Sequence, residues 1–193
     1  MIWLNGTFGA GKTATAYLLQ SRLPHAYVFD PENAGFYLRQ NLPEELKAAD
    51  FQDEPLWREM NLRMLEKLAR EYDGEVIVPM TLAQPAYFDQ LVGGLREKGV
   101  EVQHFVLSVT EETLRHRLHS RLESKKSWAY RQADRCLPAM ARFPAGEQVI
   151  CDHKSADQAA EEIAERCGLT LSPRKSAWHT FWFLQRVKFG HMR

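Results

Sequence analysis

Short apolar runs alternate along the chain with longer stretches that have the hydrophobic period of a helix. The strand-like runs cover Ile2–Asn5, Ala26–Asp30, Glu75–Met80, Val102–Leu107 and Gln148–Cys151. The helical stretches cover Lys12–Leu23, Leu56–Tyr72, Gln84–Lys98, Glu111–Leu122 and Asp157–Cys167. This alternation predicts an α/β fold in which a five-stranded parallel sheet is flanked by helices.

The chain has the length and composition of one globular domain. Its 193 residues include 25 lysines and arginines and 25 aspartates and glutamates, so the overall charge favours neither nucleic acid nor a membrane as a partner. We expect a single domain over residues 1–193, with a lid at residues 111–140 and a C-terminal extension at residues 170–193. The cysteines lack the spacing of a metal site or a disulfide framework, which is typical of a cytoplasmic protein. No apolar run is long enough to span a bilayer, and the first is too short for a signal peptide.

The first strand leads directly into a glycine-rich loop. The run Gly6-Thr7-Phe8-Gly9-Ala10-Gly11-Lys12-Thr13 matches the Walker A pattern G-x-x-x-x-G-K-[ST] without a mismatch, and a helix is predicted to follow. Glycines let the backbone N–H groups approach phosphate oxygens, Lys12 neutralises the β- and γ-phosphates, and the Thr13 hydroxyl ligates Mg²⁺. A turn that binds nothing is the alternative, but position, spacing and context favour a nucleotide site. We therefore predict that ATP and Mg²⁺ are bound by Gly6, Thr7, Phe8, Gly9, Ala10, Gly11, Lys12, Thr13 and Thr15.

Two acids follow the second strand. Asp30 ends that strand, at the edge of the sheet where open α/β folds bind ligands. A carboxylate there can take the proton of an attacking hydroxyl or hold a Mg²⁺-bound water, or it can cap the following turn. We predict a catalytic, substrate-facing role for Asp30. Glu32 is a second candidate at the substrate, with a surface carboxylate as the alternative.

The segment at the start of the second predicted helix is a candidate for the acceptor pocket. The residues predicted to bind the acceptor are Phe51, Gln52, Asp53, Trp57 and Arg58. In a small-molecule kinase Trp57 would stack on the acceptor, and Arg58 or Asp53 would hydrogen-bond to it. Helix capping and core packing are the alternative roles of these side chains.

The third strand ends without the aspartate that many P-loop proteins use to help hold Mg²⁺. This absence argues against a motor ATPase or a switch GTPase and is compatible with a small kinase. Thr81, which follows the strand, is predicted to contact the substrate or a metal-bound water. An ordinary threonine at a strand end is the alternative.

A helical run rich in basic residues follows the fourth strand and is a candidate lid. Arg117 and Arg121 are spaced i, i+4 and share a helix face. Because lid arginines stabilise charge during phosphoryl transfer, we predict that both are catalytic, together with Lys12 and Asp30. A solvated basic helix face is the alternative.

The C-terminal extension is basic and aromatic. From Leu169 onward the chain contains lysines and arginines but no acid, and its large aromatic residues fall broadly on one helical face: Trp178, Phe181, Trp182 and Phe189. Such a helix can lie in a membrane interface, wall an apolar acceptor site or pack on the body of the protein.

Several of these segments resemble the tunicamycin-resistance (TmrB-like) family of P-loop proteins. Beyond the first strand and the glycine loop, the similarity is carried by Phe29-Asp30-Pro31-Glu32, Phe51-Gln52-Asp53, Leu56-Trp57-Arg58, Val78-Pro79-Met80-Thr81, His104-Phe105, Trp128, Gln132 and Arg135-Cys136. The resemblance implies a nucleoside-monophosphate-kinase-like fold. It also implies an ATP-dependent enzyme that phosphorylates a sugar hydroxyl of tunicamycin, a uridine-containing nucleoside antibiotic with an acyl chain. On this basis Gly6–Thr13 hold ATP·Mg²⁺ and Asp30 is the acceptor-side base.

Two other functions stay open from the sequence. One is a kinase for another sugar, nucleoside or nucleotide. The other is a non-catalytic, ATP-dependent binder that sequesters the drug, with a membrane surface as one place for it to act. The missing metal-binding aspartate is compatible with this function.

Overall fold

Five parallel strands form a sheet in the computed structural model, which describes residues 1–120 and 128–191. The strands are β1 (Ile2–Gly6), β2 (Ala26–Val28), β3 (Glu75–Pro79), β4 (Gln103–Ser108) and β5 (Gln148–Ile150). Their order is β2-β3-β1-β4-β5, and each pairing is parallel. Because β1 is central, the loop after it opens at the middle of the carboxyl edge of the sheet. The predicted α/β class is confirmed.

The helices lie between and beyond these strands. They are α1 (Lys12–Arg22), α2 (Glu32–Asn41), α3 (Pro55–Glu71), α4 (Pro85–Phe88), α5 (Gly94–Glu97), α6 (Glu111–Ser120), α7 (Trp128–Met140), α8 (Ala156–Arg166) and α9 (Ala177–His191). Short 3-10 turns add Glu44–Leu46, Phe51–Asp53 and Ala145–Glu147. A π-helical turn, Asp89–Gly93, joins α4 to α5, so the helix predicted from Gln84 to Lys98 is not α-helical throughout. Helix α2 was not predicted from the sequence.

The core has two layers, one on each face of the sheet. Along β1, Ile2 and Leu4 pack with α1 and α8, whereas Trp3 between them packs with α3 and α5. These β1 side chains are at most 1% exposed. The alternation follows from the period of two along a strand, and burial on both faces explains why β1 reads as a continuous apolar run.

Helix α9 packs on the outside of α1 through Phe183 and Leu184. The segment before it is tied to the body by Arg22, whose Nε donates to the carbonyl of Ser172 at 2.9 Å. The guanidinium of Arg22 also pairs with Asp157 at 3.2 Å and with Glu161 at 2.9 Å. In the structure the extension therefore packs on the body of the protein, which is one of its three predicted roles.

The other face of α9 is exposed. The exposed fractions of Trp178, Phe181 and Trp182 are 73%, 54% and 51%, and Trp182 contacts both of the other rings edge-on. The side chain of Phe189 lies outside the described part of the chain. Within residues 1–120 and 128–191, each helix is too short or too polar to cross a bilayer.

Candidate active site

The loop from Gly6 to Thr13 has the backbone of an anion-binding site. Gly6, Gly9 and Gly11 have φ values of 140°, 91° and 107°, in a region that side chains with a Cβ rarely adopt. At Gly6 a Cβ would also lie 2.8 Å from the carbonyl oxygen of Leu107. Gly11 directly precedes α1, so the N–H groups of the loop and of the first helical turn point toward one place. The two glycines of the Walker A pattern, Gly6 and Gly11, therefore stand at positions where the backbone favours glycine.

The side chain of Lys12 folds back over this loop. Its Nζ donates to the carbonyl oxygens of Gly6 and Thr7, each at 3.0 Å, and lies 5.3 Å from the centre of the Phe8 ring. The ammonium is thus held at the mouth of the loop, where it would meet the phosphates of a nucleotide.

Two buried side chains support the loop from below. The Oδ1 of Asn5 accepts the N–H groups of Gly6 and Leu82, both at 2.9 Å, and the hydroxyl of Thr81 donates to the carbonyl of Gly6 at 2.8 Å. Thr81 is only 2% exposed. The prediction that Thr81 contacts the substrate or a metal-bound water is therefore corrected, because its hydroxyl is turned into the loop. Asn5 was not singled out from the sequence.

A cavity of about 260 Å³ lies beside the loop, and its lining includes Gly11, Thr15, Arg117, Lys154 and Ala159. The hydroxyls of Thr15 and Thr7 are buried and have no hydrogen-bond partner among the described residues. Unpartnered buried hydroxyls are costly, and a nucleotide bound in the cavity would supply a partner for Thr15, which lines it. The cavity and the Thr15 hydroxyl therefore fit ATP.

Arg117 lies behind the loop. Its guanidinium donates to three backbone carbonyls: Ala10 at 3.1 Å, Cys151 at 2.5 Å and Lys154 at 3.5 Å. It thus joins the glycine loop to the segment after β5 and borders the cavity. Its catalytic role stays a prediction. Arg121, the other predicted lid arginine, lies outside the described residues.

Asp30 and Glu32 lie at the start of α2. The Oδ1 of Asp30 accepts the N–H of Glu32 at 2.9 Å, which is the capping contact that was the alternative role. Burial raises the pKa of Glu32, the charges of Asp30 and Asp50 raise it further, and the charge of Lys12 lowers it. Asp30 and Glu32 thus lie together at the carboxyl edge of the sheet. Asp50 was not among the predicted site residues.

The 3-10 turn Phe51–Asp53 is held by side chains from α3 and α4. Arg58 donates through Nη1 to the carbonyl of Gln52 and through Nε to Gln90 at 2.7 Å, and its guanidinium lies 4.5 Å from the centre of the Tyr87 ring. The Tyr87 hydroxyl donates to Asp53 at 2.6 Å, and this hydrogen bond raises the pKa of Tyr87. The structure thus brings Asp53 and Arg58 together, and it adds Tyr87 and Gln90, which no sequence spacing indicated.

Trp57 supports the site from inside the core. Its ring is fully buried, and its Nε1 donates to the carbonyl of Pro31 at 2.9 Å. Of the two roles considered for Trp57, the structure has core packing, because no face of the ring is open to an acceptor. The Phe51 ring lies 5.4 Å from Trp57, and Gln52 is 5% exposed. Trp57 thus holds the residue that follows Asp30, and direct contact of Phe51 or Gln52 with an acceptor stays a prediction.

The protein donors for Mg²⁺ are few. Among residues 1–120 and 128–191, no group of three or more His, Cys, Asp and Glu side chains could hold a metal ion. A nucleotide-borne Mg²⁺ fits this set, because phosphate oxygens, water and the Thr13 hydroxyl suffice for its preferred oxygen ligands. Bound there, the ion would neutralise phosphate charge.

The chain matches the family described as AAA domain over residues 1–145. It is 32% identical to the tunicamycin resistance protein of Deinococcus radiodurans, with a TM-score of 0.75, over 90% of this chain and 98% of that one. No curated protein matches it.

Solved kinases share the fold at lower identity. A sugar kinase from Janibacter sp. is 17% identical with a TM-score of 0.60, over 88% of this chain and 94% of that one. A shikimate kinase from Bacteroides thetaiotaomicron is 17% identical with a TM-score of 0.57, over 87% and 98%. At this identity the likeness shows the fold alone.

Proposed function

The chain belongs to the AAA-domain family and to the tunicamycin-resistance family of P-loop proteins, and from this premise we propose that it is a cytoplasmic, ATP-dependent phosphotransferase that phosphorylates a sugar hydroxyl of tunicamycin. One observation carries the proposal. The ammonium of Lys12 is held by the carbonyls of Gly6 and Thr7 at the carboxyl end of β1, and Asp30 follows β2 at the same edge of the sheet. This arrangement supports a phosphate donor and a proton acceptor that act at one edge of the sheet.

In the proposed reaction, the acceptor oxygen bonds to the γ-phosphorus of ATP as the bond from that phosphorus to the β,γ-bridging oxygen breaks. The bridging oxygen keeps the electron pair and leaves as part of ADP. The proton of the acceptor hydroxyl passes to the carboxylate of Asp30. Lys12 and the N–H groups of Gly6–Thr13 stabilise the charge on the phosphates, so most of the rate comes from positioning and electrostatics.

The direct test is the mass of the drug after incubation with the protein, ATP and Mg²⁺. We expect tunicamycin to gain one phosphoryl group and an equal amount of ADP to appear. The Lys12→Ala variant, in the same assay, should give neither product. Unchanged drug in the wild-type reaction would overturn the proposed activity on tunicamycin, and a screen of other sugars, nucleosides and nucleotides would then separate a different acceptor from no kinase activity.

The exposed face of α9 favours a second candidate, in which the protein binds the acyl-bearing drug at a membrane without modifying it. Trp178, Phe181 and Trp182 form a contiguous aromatic surface, and aromatic and basic helices of this kind bind bilayer interfaces. ATP-dependent retention of tunicamycin with unchanged mass would support this candidate over the kinase.

A further inference from the structure

A carboxylate that follows β5 supports the start of the helix that follows β4. The Oδ1 of Asp152 accepts the backbone N–H of Thr110 at 2.8 Å and the hydroxyl of the same residue at 2.7 Å. Thr110 directly precedes α6, where its carbonyl accepts the N–H of Leu114 at 3.0 Å and its Oγ1 accepts the N–H of Thr113 at 3.3 Å. Thr110 is therefore the N-cap residue of α6, and Asp152 holds this cap from a different strand of the sheet.

The charge of Asp152 gives the contact its direction. Hydrogen bonds from the hydroxyls of Thr113 and Thr110 lower the pKa of Asp152 to about 2, so at neutral pH the carboxylate only accepts hydrogen bonds. The one hydroxyl proton of Thr110 is donated to Asp152, and the lone pairs of that hydroxyl remain for the N–H of Thr113. Asp152 thus orients the group that caps α6.

The buried face of α6 lies directly against the glycine loop. Leu114 and Leu118 are at most 1% exposed. A Cβ at Gly9 would lie 3.0 Å from the Cδ1 of Leu114 and 3.2 Å from the Cδ2 of Leu118. On the same helix, Arg117 donates to the carbonyl of Ala10 at 3.1 Å. The position of α6 therefore determines how the loop is supported at two of its residues.

The segment that carries Asp152 is anchored to the sheet. The N–H of Cys151 donates to the carbonyl of Ser108 at 2.8 Å, which extends the pairing of β5 with β4. Arg117 donates to the carbonyls of Cys151 and Lys154, on either side of Asp152 in the chain. The segment caps the helix, and the helix in turn binds the segment, so the start of α6 rests on a fixed part of the fold.

We propose that Asp152 is a positioning residue for nucleotide binding: through Thr110 it fixes the start of α6, and α6 holds the glycine loop in the shape that binds phosphates. This inference rests on the proposed phosphotransferase function. The role is indirect, because the carboxylate acts through the helix cap and the packing of α6, and no bond is made or broken at Asp152.

The first test measures the binding of ATP and of inorganic tripolyphosphate, each with Mg²⁺, to Asp152→Ala. We expect both dissociation constants to rise by about fivefold, which corresponds to the loss of a helix cap, while kcat and the KM for the acceptor stay within about twofold of wild type. Asp152→Asn keeps an oxygen that accepts both hydrogen bonds and should restore binding. Unchanged binding of ATP to Asp152→Ala would overturn the proposal, and so would weaker binding of ATP with unchanged binding of tripolyphosphate.

The matched control is Asp73→Ala. Asp73 is exposed and precedes β3 at the opposite edge of the sheet. Its removal should leave both dissociation constants within about twofold of wild type. A rise in this variant equal to that in Asp152→Ala would show that the loss of any acid weakens phosphate binding through the overall charge, and would overturn the specific role of Asp152.

A double-mutant cycle separates this role from a general loss of stability. Thr110→Ala removes the other half of the contact, and we expect it to weaken ATP binding as much as Asp152→Ala does, with no further loss when the two are combined. Thr110→Ser keeps the hydroxyl and should bind ATP as the wild type does. Additive effects on the dissociation constant would overturn the proposal, as would a lower free energy of unfolding with unchanged ATP binding. Because these are binding measurements, a wild-type protein that binds ATP but phosphorylates no acceptor would overturn the proposed function and not the role of Asp152.

Discussion

The hydroxyl of Thr81 donates a 2.8 Å hydrogen bond to the carbonyl of Gly6. This contact fixes the first residue of the glycine loop to the segment after β3. The side chain of Thr81 therefore supports the loop from the end of the neighbouring strand.

Replacing Thr81 by Val should loosen the loop without changing the volume of the side chain. We expect the free energy of unfolding to fall by about 1 kcal/mol and the dissociation constant of ATP to rise, because the Gly6 carbonyl loses a buried donor. Chemical denaturation and calorimetry measure the two effects. Thr170→Val, at an exposed position, is the matched control, and equal behaviour of the two variants would contradict the supporting role.

Asp30→Asn separates the two roles of this side chain. The amide oxygen of Asn can still accept the N–H of Glu32, so α2 should begin as it does in the wild type. The amide cannot take a proton, and we expect kcat to fall by about 100- to 10,000-fold while ATP binds with unchanged affinity. Steady-state kinetics and calorimetry test this, with the exposed Asp73→Asn as control. Full turnover in Asp30→Asn would remove Asp30 from the mechanism.

The raised pKa of Glu32 predicts how stability depends on pH. Burial and the charge of Asp30 make the folded protein bind this proton more tightly than the unfolded chain does. The stability that the proton contributes is present at low pH and is lost as the pH rises through the raised pKa. We therefore expect Glu32→Gln to be more stable than wild type at pH 8, with the difference vanishing near pH 4. Urea denaturation across this range measures it, and a constant difference would contradict the assignment.

Tyr87→Phe tests the acceptor side. The ring that packs under the guanidinium of Arg58 stays, but the hydrogen bond to Asp53 is lost. If the Phe51–Asp53 turn shapes the acceptor pocket, the KM for the acceptor should rise by about fivefold while the KM for ATP does not change. Tyr27→Phe removes an exposed hydroxyl on β2 as control. An equal rise in both KM values would point to general loosening instead.

The exposed face of α9 predicts binding to anionic vesicles. A Trp178→Ser/Trp182→Ser double variant should co-sediment less than wild type with vesicles of phosphatidylcholine and phosphatidylglycerol, because the two indoles supply much of the exposed apolar area of this face. Added salt should weaken binding of the wild type, since the extension carries no acid. Tyr37→Ser removes an exposed ring elsewhere, and equal pelleting of all three proteins would dismiss membrane contact.

The parts of the site that follow one another in the chain could be predicted from the sequence. Gly6, Gly9 and Gly11 have φ values that only glycine adopts easily, so the pattern is visible without a structure. Helix α2 was not predicted, and it contains Gly35, which disfavours a helix locally. The need for this glycine is tertiary: a Cβ at Gly35 would lie 2.6 Å from the Phe51 ring. Gly35 is thus required inside the helix by the ring of Phe51, which comes 16 positions later in the chain.

The contacts between distant elements could not be predicted. Asp50 meets Arg135, and Asp53 meets Tyr87, across sequence separations of 85 and 34 residues. No periodicity relates such pairs, since they depend on how α4 and α7 cross the carboxyl edge of the sheet. The role of Trp57 could not be decided from the sequence either. A tryptophan can line a pocket or fill a core, and only its position in the fold distinguishes the two.

Helix α1 begins at the glycine loop and ends at Arg22, the side chain that holds the C-terminal segment. Its 11 residues form a rod of about 16 Å. The glycine loop and the C-terminal helix are therefore joined through one rigid helix. A surface that binds the Trp178 and Trp182 rings would also fix the orientation of the nucleotide site relative to that surface.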